Sequence, residues 1–308
     1  MNPGRDPFPS ADVSPEVTQA LAEGRPIVAL ETTVMTHGLP RPQNLELALD
    51  METTVRRGGA VPATVAVVRG RPTIGVPGPE LERLARAAGV LKVNRQNLGY
   101  CAAKGMDGGT TVSASVHLAH SAGIRIMATG GIGGVHRGQT GDVSADLPEL
   151  ARTPVAVVCS GAKAILDLPR TLEWLETHGV PVIGYGTDEF PAFFSRSSGL
   201  RVDLRADGPA DVAEILLAHW SLFPMCGVLL CVPCPEEQAL PPEEVERAVS
   251  RALVSGEAGG VAGKDVTPFL LCELNEMTRG ASLRANLALL LNNARVGAQV
   301  AQAFRSKR

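Results

Sequence analysis

Short apolar runs alternate along the chain with stretches whose apolar residues recur at helical spacing. Residues 26–30, 64–68, 125–129, 155–159, 180–184 and 228–232 are rich in Val, Ile, Ala and Leu and too short for helices, which predicts buried strands. Between them the spacing predicts helices over 15–23, 43–57, 79–88, 111–122, 170–178 and 210–220. Such alternation favours parallel pairing, because a strand covered on both faces is apolar throughout rather than at every second position. The expected fold class is α/β: three layers, with a central mixed, mostly parallel sheet and helices on both faces.

Two segments break the rhythm. Residues 61–76 hold two apolar runs joined by Arg69-Gly70-Arg71-Pro72, a hairpin turn that predicts local antiparallel pairing. Beyond Pro235 no strand is expected; helices over 242–255 and 282–304, the second with Ser282 as its N-cap, read as a helical cap on the same unit. No repeat or linker interrupts the 308 residues, so residues 1–308 are expected to form a single domain, with 1–13 as a loose arm.

Composition narrows the function classes. Hydrophobic residues make up 44% and aromatics only 4%, which suits a core of aliphatic side chains. Lys plus Arg number 29 against 32 Asp plus Glu, with no block of one sign, so neither nucleic acid nor an anionic membrane is an expected partner. The opening MNPGRDPFPS has no basic or apolar leader region, and the expected location is cytoplasmic. The six cysteines lie mostly in apolar runs and read as buried thiols; Cys231 and Cys234 have CxxC spacing without a second pair.

In α/β sheets ligands gather where strands hand over to loops at their carboxyl ends, and four such places carry reactive residues. Glu31 follows an apolar strand and precedes Thr32, Thr33, Thr36 and His37; it is a candidate acid or base, or alternatively a helix-capping carboxylate. Thr129 opens a glycine-rich loop, TGGIGGVHRG, whose backbone N–H groups can approach an anion and where His136 and Arg137 add donors; a tight structural turn is the other reading. Its glycines do not complete a dinucleotide fingerprint, and no Gly-Lys-Ser/Thr follows. Asp142 and Asp146 are spaced to share a helical face and could ligate a hard cation, or simply open a helix. Lys163 ends Ser160-Gly-Ala-Lys163 among small and apolar neighbours, a setting that can yield the neutral amine of Schiff-base chemistry, although most lysines do nothing of the kind.

Taken in order, ALETTVMTHGLPRPQN (29–44), GAVPATVAVV (59–68), TGGIGGVHRG (129–138), DVSADLPEL (142–150), VVCSGAKAILDLPRTLEWLETHGVPVIGY (157–185), PAFFSRSS (191–198), GKDVTPFLL (263–271) and SLRANLALLLNNA (282–294) resemble the pseudouridine-5'-phosphate glycosidase family, which includes indigoidine synthase A-like proteins. The resemblance spans 14–303. It implies that Glu31 is the proton donor, that Lys163 forms the covalent sugar adduct, and that Asp142 holds a manganese ion, with magnesium as the alternative. It further implies substrate contacts from Lys92, Val112, Ser144, Ala145 and Asp146, with His136, Asn286 and Thr129 lining the same site. One departure is Val232-Pro233-Cys234-Pro235-Glu236, where the family reads Asn-Pro-Ile-Pro-Glu; another is a shorter loop between Arg137 and Asp142.

The activity implied is reversible cleavage of pseudouridine 5'-phosphate with water to uracil and ribose 5-phosphate, through ribose ring opening and a Lys163 Schiff base, in a homotrimer. A two-carboxylate glycosidase scheme lacks its lever here, because the sugar joins a base carbon that has no lone pair to protonate. Two rivals are a Schiff-base lyase acting on another sugar phosphate or C-nucleotide, and a non-catalytic sugar-phosphate binding protein.

Overall fold

The computed structural model describes residues 11–138, 141–261 and 266–307. Four strands form the middle of one sheet: Ile27–Leu30, Ile126–Ala128, Ala156–Cys159 and Val228–Cys231. Every residue in them is buried, as their unbroken apolar sequences require of strands sandwiched between helices. All neighbours in this group run parallel. Beyond Val228–Cys231 the sheet continues, still parallel, through Val182–Tyr185 to Leu204–Ala206.

On the other side Val61–Val68 pairs parallel with Ile27–Leu30 and antiparallel with Arg71–Ile74, the expected hairpin. Arg69 and Gly70, with φ of 47° and 78°, supply the left-handed residues of its turn. The antiparallel pairing of Gly108–Thr110 on Val61–Val68, and Leu91–Val93 parallel to Gly108–Thr110, complete a mixed, mostly parallel sheet. The edge strand Asp12–Val13 pairs with Arg71–Ile74, so these two residues, expected in a loose arm, belong to the sheet; residues 1–10 lie outside the described residues.

The predicted helices appear with boundaries within a few residues of expectation, among them Pro15–Glu23, Gln43–Arg57 and Val112–Ser121. The C-terminal helix differs from expectation in two respects. It spans Ala281–Ser306, and its N-cap is Gly280 at φ 80°, while Ser282 is the buried second residue of the helix and donates its N–H to Thr278 Oγ1. Nor is it a peripheral cap: it packs on the central strands and against Gln43–Arg57 and Pro209–Leu222. Gly297 allows this approach, since a Cβ there would stand only 3.2 Å from that of Ala128. The helix Val266–Met277, which the sequence pattern did not predict, packs against Pro242–Ala258. The motif at 263–271 reaches the described residues only from 266 onward.

Candidate functional site

Parallel register brings the reactive residues together. Leu30 pairs with Ala128, which pairs with Val158, so the chain leaves these neighbouring strands at one level, into Glu31, Thr129 and Cys159–Ser160. Past the strand ends the glycine-rich loop and the lysine loop keep the ladder going: Ser160 N–H donates to Gly130 O at 2.8 Å, Ile132 to Gly161 O at 3.0 Å, and Lys163 to Ile132 O at 3.1 Å. The lysine is thereby fixed by backbone bonds to the loop that faces it.

Glu31 is half-buried at the mouth of this cleft. Thr129 Oγ1 donates to Glu31 Oε1 at 3.0 Å, and Val34 N–H donates to Oε2 at 3.2 Å. The carboxylate thus does cap the following turn, a five-residue π-helix at Val34–Gly38, a form that recurs at functional sites. Thr32 and Thr33 anchor that turn to the sheet through Val65 O and Gly109 O. Burial pushes the Glu31 carboxyl above its ordinary value and the Asp146 charge adds to this, while Lys163, the Thr129 hydroxyl and Val34 N–H pull it down.

Two cavities meet at these residues. The larger, about 400 Å³, is polar and is lined by Val112, His136, Asp142, Ser144, Ala145 and Asp146. The smaller, about 50 Å³, is mostly apolar and is lined by Thr129, Gly130, Gly131, Phe193, Leu271 and Asn286. Glu31, Thr33, Lys92 and Lys163 line both, so the cleft brings together every site residue expected from the sequence.

The acidic pair does not act as a pair. Asp146 is buried, and its two oxygens accept from Ser113 N–H (2.9 Å) and Gly133 N–H (2.8 Å), which ties a helix start to the glycine-rich loop. Asp142 instead is exposed on the polar cavity, with His136 Nε2 at 3.9 Å from its carboxylate. A single hard oxygen donor on an open polar cavity fits a divalent ion that retains most of its water. Among the described residues no cluster of three or more His, Cys, Asp or Glu forms a closed cage. Residues 139 and 140, in the shortened loop, lie outside the described residues.

Arg137 is taken up by protein partners rather than offered to a ligand: its guanidinium pairs bidentately with Glu246 and donates to Ala164 O and Leu166 O. Cys231 and Cys234 are buried, Cys231 beside Cys159 on the next strand, with the Cys234 thiol pushed up to about 11 by burial. They are core thiols.

Sequence reasoning missed Asn293. Fully buried in the C-terminal helix, it donates from Nδ2 to Thr129 O at 2.8 Å, Gly130 O at 3.3 Å and Ser160 Oγ at 3.1 Å, holding both loops from below. The available signal was an Asn on the apolar face of a long helix. Phe193 was also missed; it sits at φ 59°, a strained conformation for a bulky residue, and its N–H bonds Ser160 O. Gly131 makes room for it, since a Cβ there would lie 2.6 Å from the ring.

Residues 16–303 match the family model for indigoidine synthase A-like proteins. The chain belongs to the indigoidine synthase A-like family. It is 54% identical over 304 residues to a pseudouridine-5'-phosphate glycosidase of Methylobacterium nodulans, covering 98% of this chain and 90% of that one. A glycosidase of the same name from Solibacter usitatus is 55% identical over 291 residues, 94% of this chain and 97% of its own. Two solved structures share the fold. An indigoidine synthase A-like protein of Thermotoga maritima has a TM-score of 0.89 at 36% identity, covering 99% of both chains. The prealnumycin C-glycosynthase AlnA, in complex with ribulose 5-phosphate, scores 0.90 at 38% identity, covering 98% of this chain and 99% of its own. Within the family fold, Glu31 and Lys163 stand on neighbouring loops of one cleft.

Proposed function

We propose that this member of the indigoidine synthase A-like family cleaves the carbon–carbon glycosidic bond of pseudouridine 5'-phosphate, releasing uracil and ribose 5-phosphate. The observation that carries the reading is the placement of Glu31 and Lys163 where a polar cavity meets a small apolar one. A sugar phosphate suits the first, and the apolar lining of the second offers a wall for one side of a flat base, which puts the bond between sugar and base beside the acid and the amine. The names of the relatives at 54% and 55% identity agree.

In the reaction the Glu31 proton passes to the ring oxygen as the C1'–O4' bond breaks, the base supplying the electron pair. Lys163 Nζ then adds to C1'. The proton that the amine sheds on adding passes through the ionised Glu31 to C5 of the base, and the nitrogen lone pair forms an iminium at C1' while the C1'–C5 pair withdraws into the base. Water adds to the iminium, ribose 5-phosphate leaves, and the amine is restored. The phosphate serves as a remote handle that aligns C1' with Nζ, and Lys92, the Ser144 hydroxyl and the Ala145 N–H are its proposed holders. Asp142, with His136 beside it, would hold a manganese or magnesium ion; when bound, such an ion offsets negative charge at the phosphate end.

The reading includes a homotrimer in the cytoplasm, with no nucleic-acid or membrane partner; light scattering checks the assembly. No described helix is long and apolar enough to cross a membrane. The deciding experiment is uracil release from pseudouridine 5'-phosphate, with borohydride trapping of ribose 5-phosphate followed by mass spectrometry. Lys163→Ala is expected to abolish release and trapping together. An undiminished variant, or an adduct on another lysine, refutes the role.

A further inference from the structure

The small cavity is bounded on its far side by a second one. An outer cavity of about 280 Å³ shares His37, Gly38, Leu271 and Asn286 with the small cavity, on the side away from the polar cavity that shares Glu31 and Lys163. Beyond these four residues its wall is largely apolar, with Leu39, Phe194 and Leu283, and it opens toward the exposed Cys272.

Two observations point to a ligand rather than to loose packing. Asn286 is only 7% exposed, and its Oδ1 has no hydrogen-bond partner although it stands at the boundary of the two cavities. Asn275 Oδ1, on the outer wall, is buried and unpartnered as well. A buried amide oxygen without a donor is destabilising, so both positions favour an occupant that brings N–H groups on an apolar frame. Size agrees: a cavity of about 150 Å³ accepts a benzene ring, and the outer one is larger.

We propose that the outer cavity extends the leaving-base subsite, so that the enzyme accepts 5'-phosphates of C-ribonucleosides whose pyrimidine carries an apolar substituent on a ring nitrogen. The inference rests on the proposed glycosidase reading. With the base joined to the sugar through C5, its ring nitrogens lie away from the bond that breaks. One ring N–H meets Asn286 Oδ1, and a group on the other nitrogen passes His37 and Leu271 into the outer cavity. The cleavage is the same, with the substituted base as leaving group in place of uracil.

The test uses the full-length enzyme, pseudouridine 5'-phosphate, and its N1-benzyl and N3-benzyl derivatives, with two readouts. Base release reports turnover. The rate at which N-ethylmaleimide alkylates Cys272, located by mass spectrometry, reports occupation of the outer cavity independently of chemistry. The expected result is that one benzyl isomer slows Cys272 alkylation about fivefold or more at saturation while the parent nucleotide does not. That isomer should be cleaved with kcat/KM within about tenfold of the parent, and Cys272→Trp should raise its KM about tenfold while leaving the parent's unchanged. If neither isomer slows alkylation, the two cavities are closed to each other and the inference is overturned. If the parent nucleotide is not cleaved, the glycosidase reading fails by itself, and the alkylation rates still decide whether the outer cavity takes the substituted base.

Discussion

Replacing Thr129 with valine removes one hydroxyl from the site with almost no change of shape. That hydroxyl donates to Glu31 Oε1 at 3.0 Å, from a side chain that is itself buried. Burial already holds the Glu31 carboxyl above its ordinary value of 4.5, and the Thr129 hydrogen bond opposes burial by favouring the ionised form. Hydrogen bonds to charged groups contribute about 1.5–3 kcal/mol, so Thr129→Val removes about that much preference for the ionised carboxylate and should push the Glu31 pKa further up. Val34 N–H and Lys163 still restrain the rise.

The sign follows from the acid role. Glu31 works protonated, so activity is lost as pH climbs through its raised pKa, and the variant's descending limb should move to higher pH. Stability follows the same direction. The Glu31 contribution is complete below the unfolded-state pKa and is lost as pH rises through the folded one, so in the variant the loss extends to higher pH. The assays are the pH profile of kcat/KM for uracil release and infrared titration of the carboxylic acid band. A limb that stays in place, or moves to lower pH, refutes Glu31 as the acid that limits turnover.

Other perturbations probe the frame around this pair. Asn293→Leu leaves Thr129 O and Ser160 Oγ without their partner, while Gly130 O keeps the Ser160 N–H; a loss of about 2–4 kcal/mol in urea unfolding is expected, together with a fall in kcat. Gly131→Ala forces the Phe193 ring away from a new Cβ that would otherwise lie 2.6 Å from it, so KM for the nucleotide should rise more than stability falls, as steady-state kinetics beside thermal melting would show. Asp142→Asn should weaken the dependence of turnover on added manganese or magnesium without preventing borohydride trapping at Lys163; unchanged metal dependence would remove Asp142 from the metal's surroundings.

The apolar runs by themselves determined the central strands, the parallel majority of the pairing and the hairpin at Arg69–Gly70, because burial on both faces and left-handed turn residues leave marks on consecutive positions. They also marked Glu31, Thr129 and Lys163 as residues at strand ends. The motifs added Lys92, Ser144 and Asn286 through a resemblance that no local physics supplies. Only the tertiary structure decided what each polar group does. Asp142 and Asp146 have equivalent sequence settings, yet one opens on the cavity while the other is consumed by two backbone N–H groups. Arg137 reads as an anion donor until Glu246, more than a hundred residues later, claims its guanidinium. Asn293 acquires its role only when the C-terminal helix is laid under the loops at Thr129 and Ser160. Period and propensity act between near neighbours, whereas hydrogen-bond partners are allotted by register and packing across the whole chain, and local sequence does not encode them.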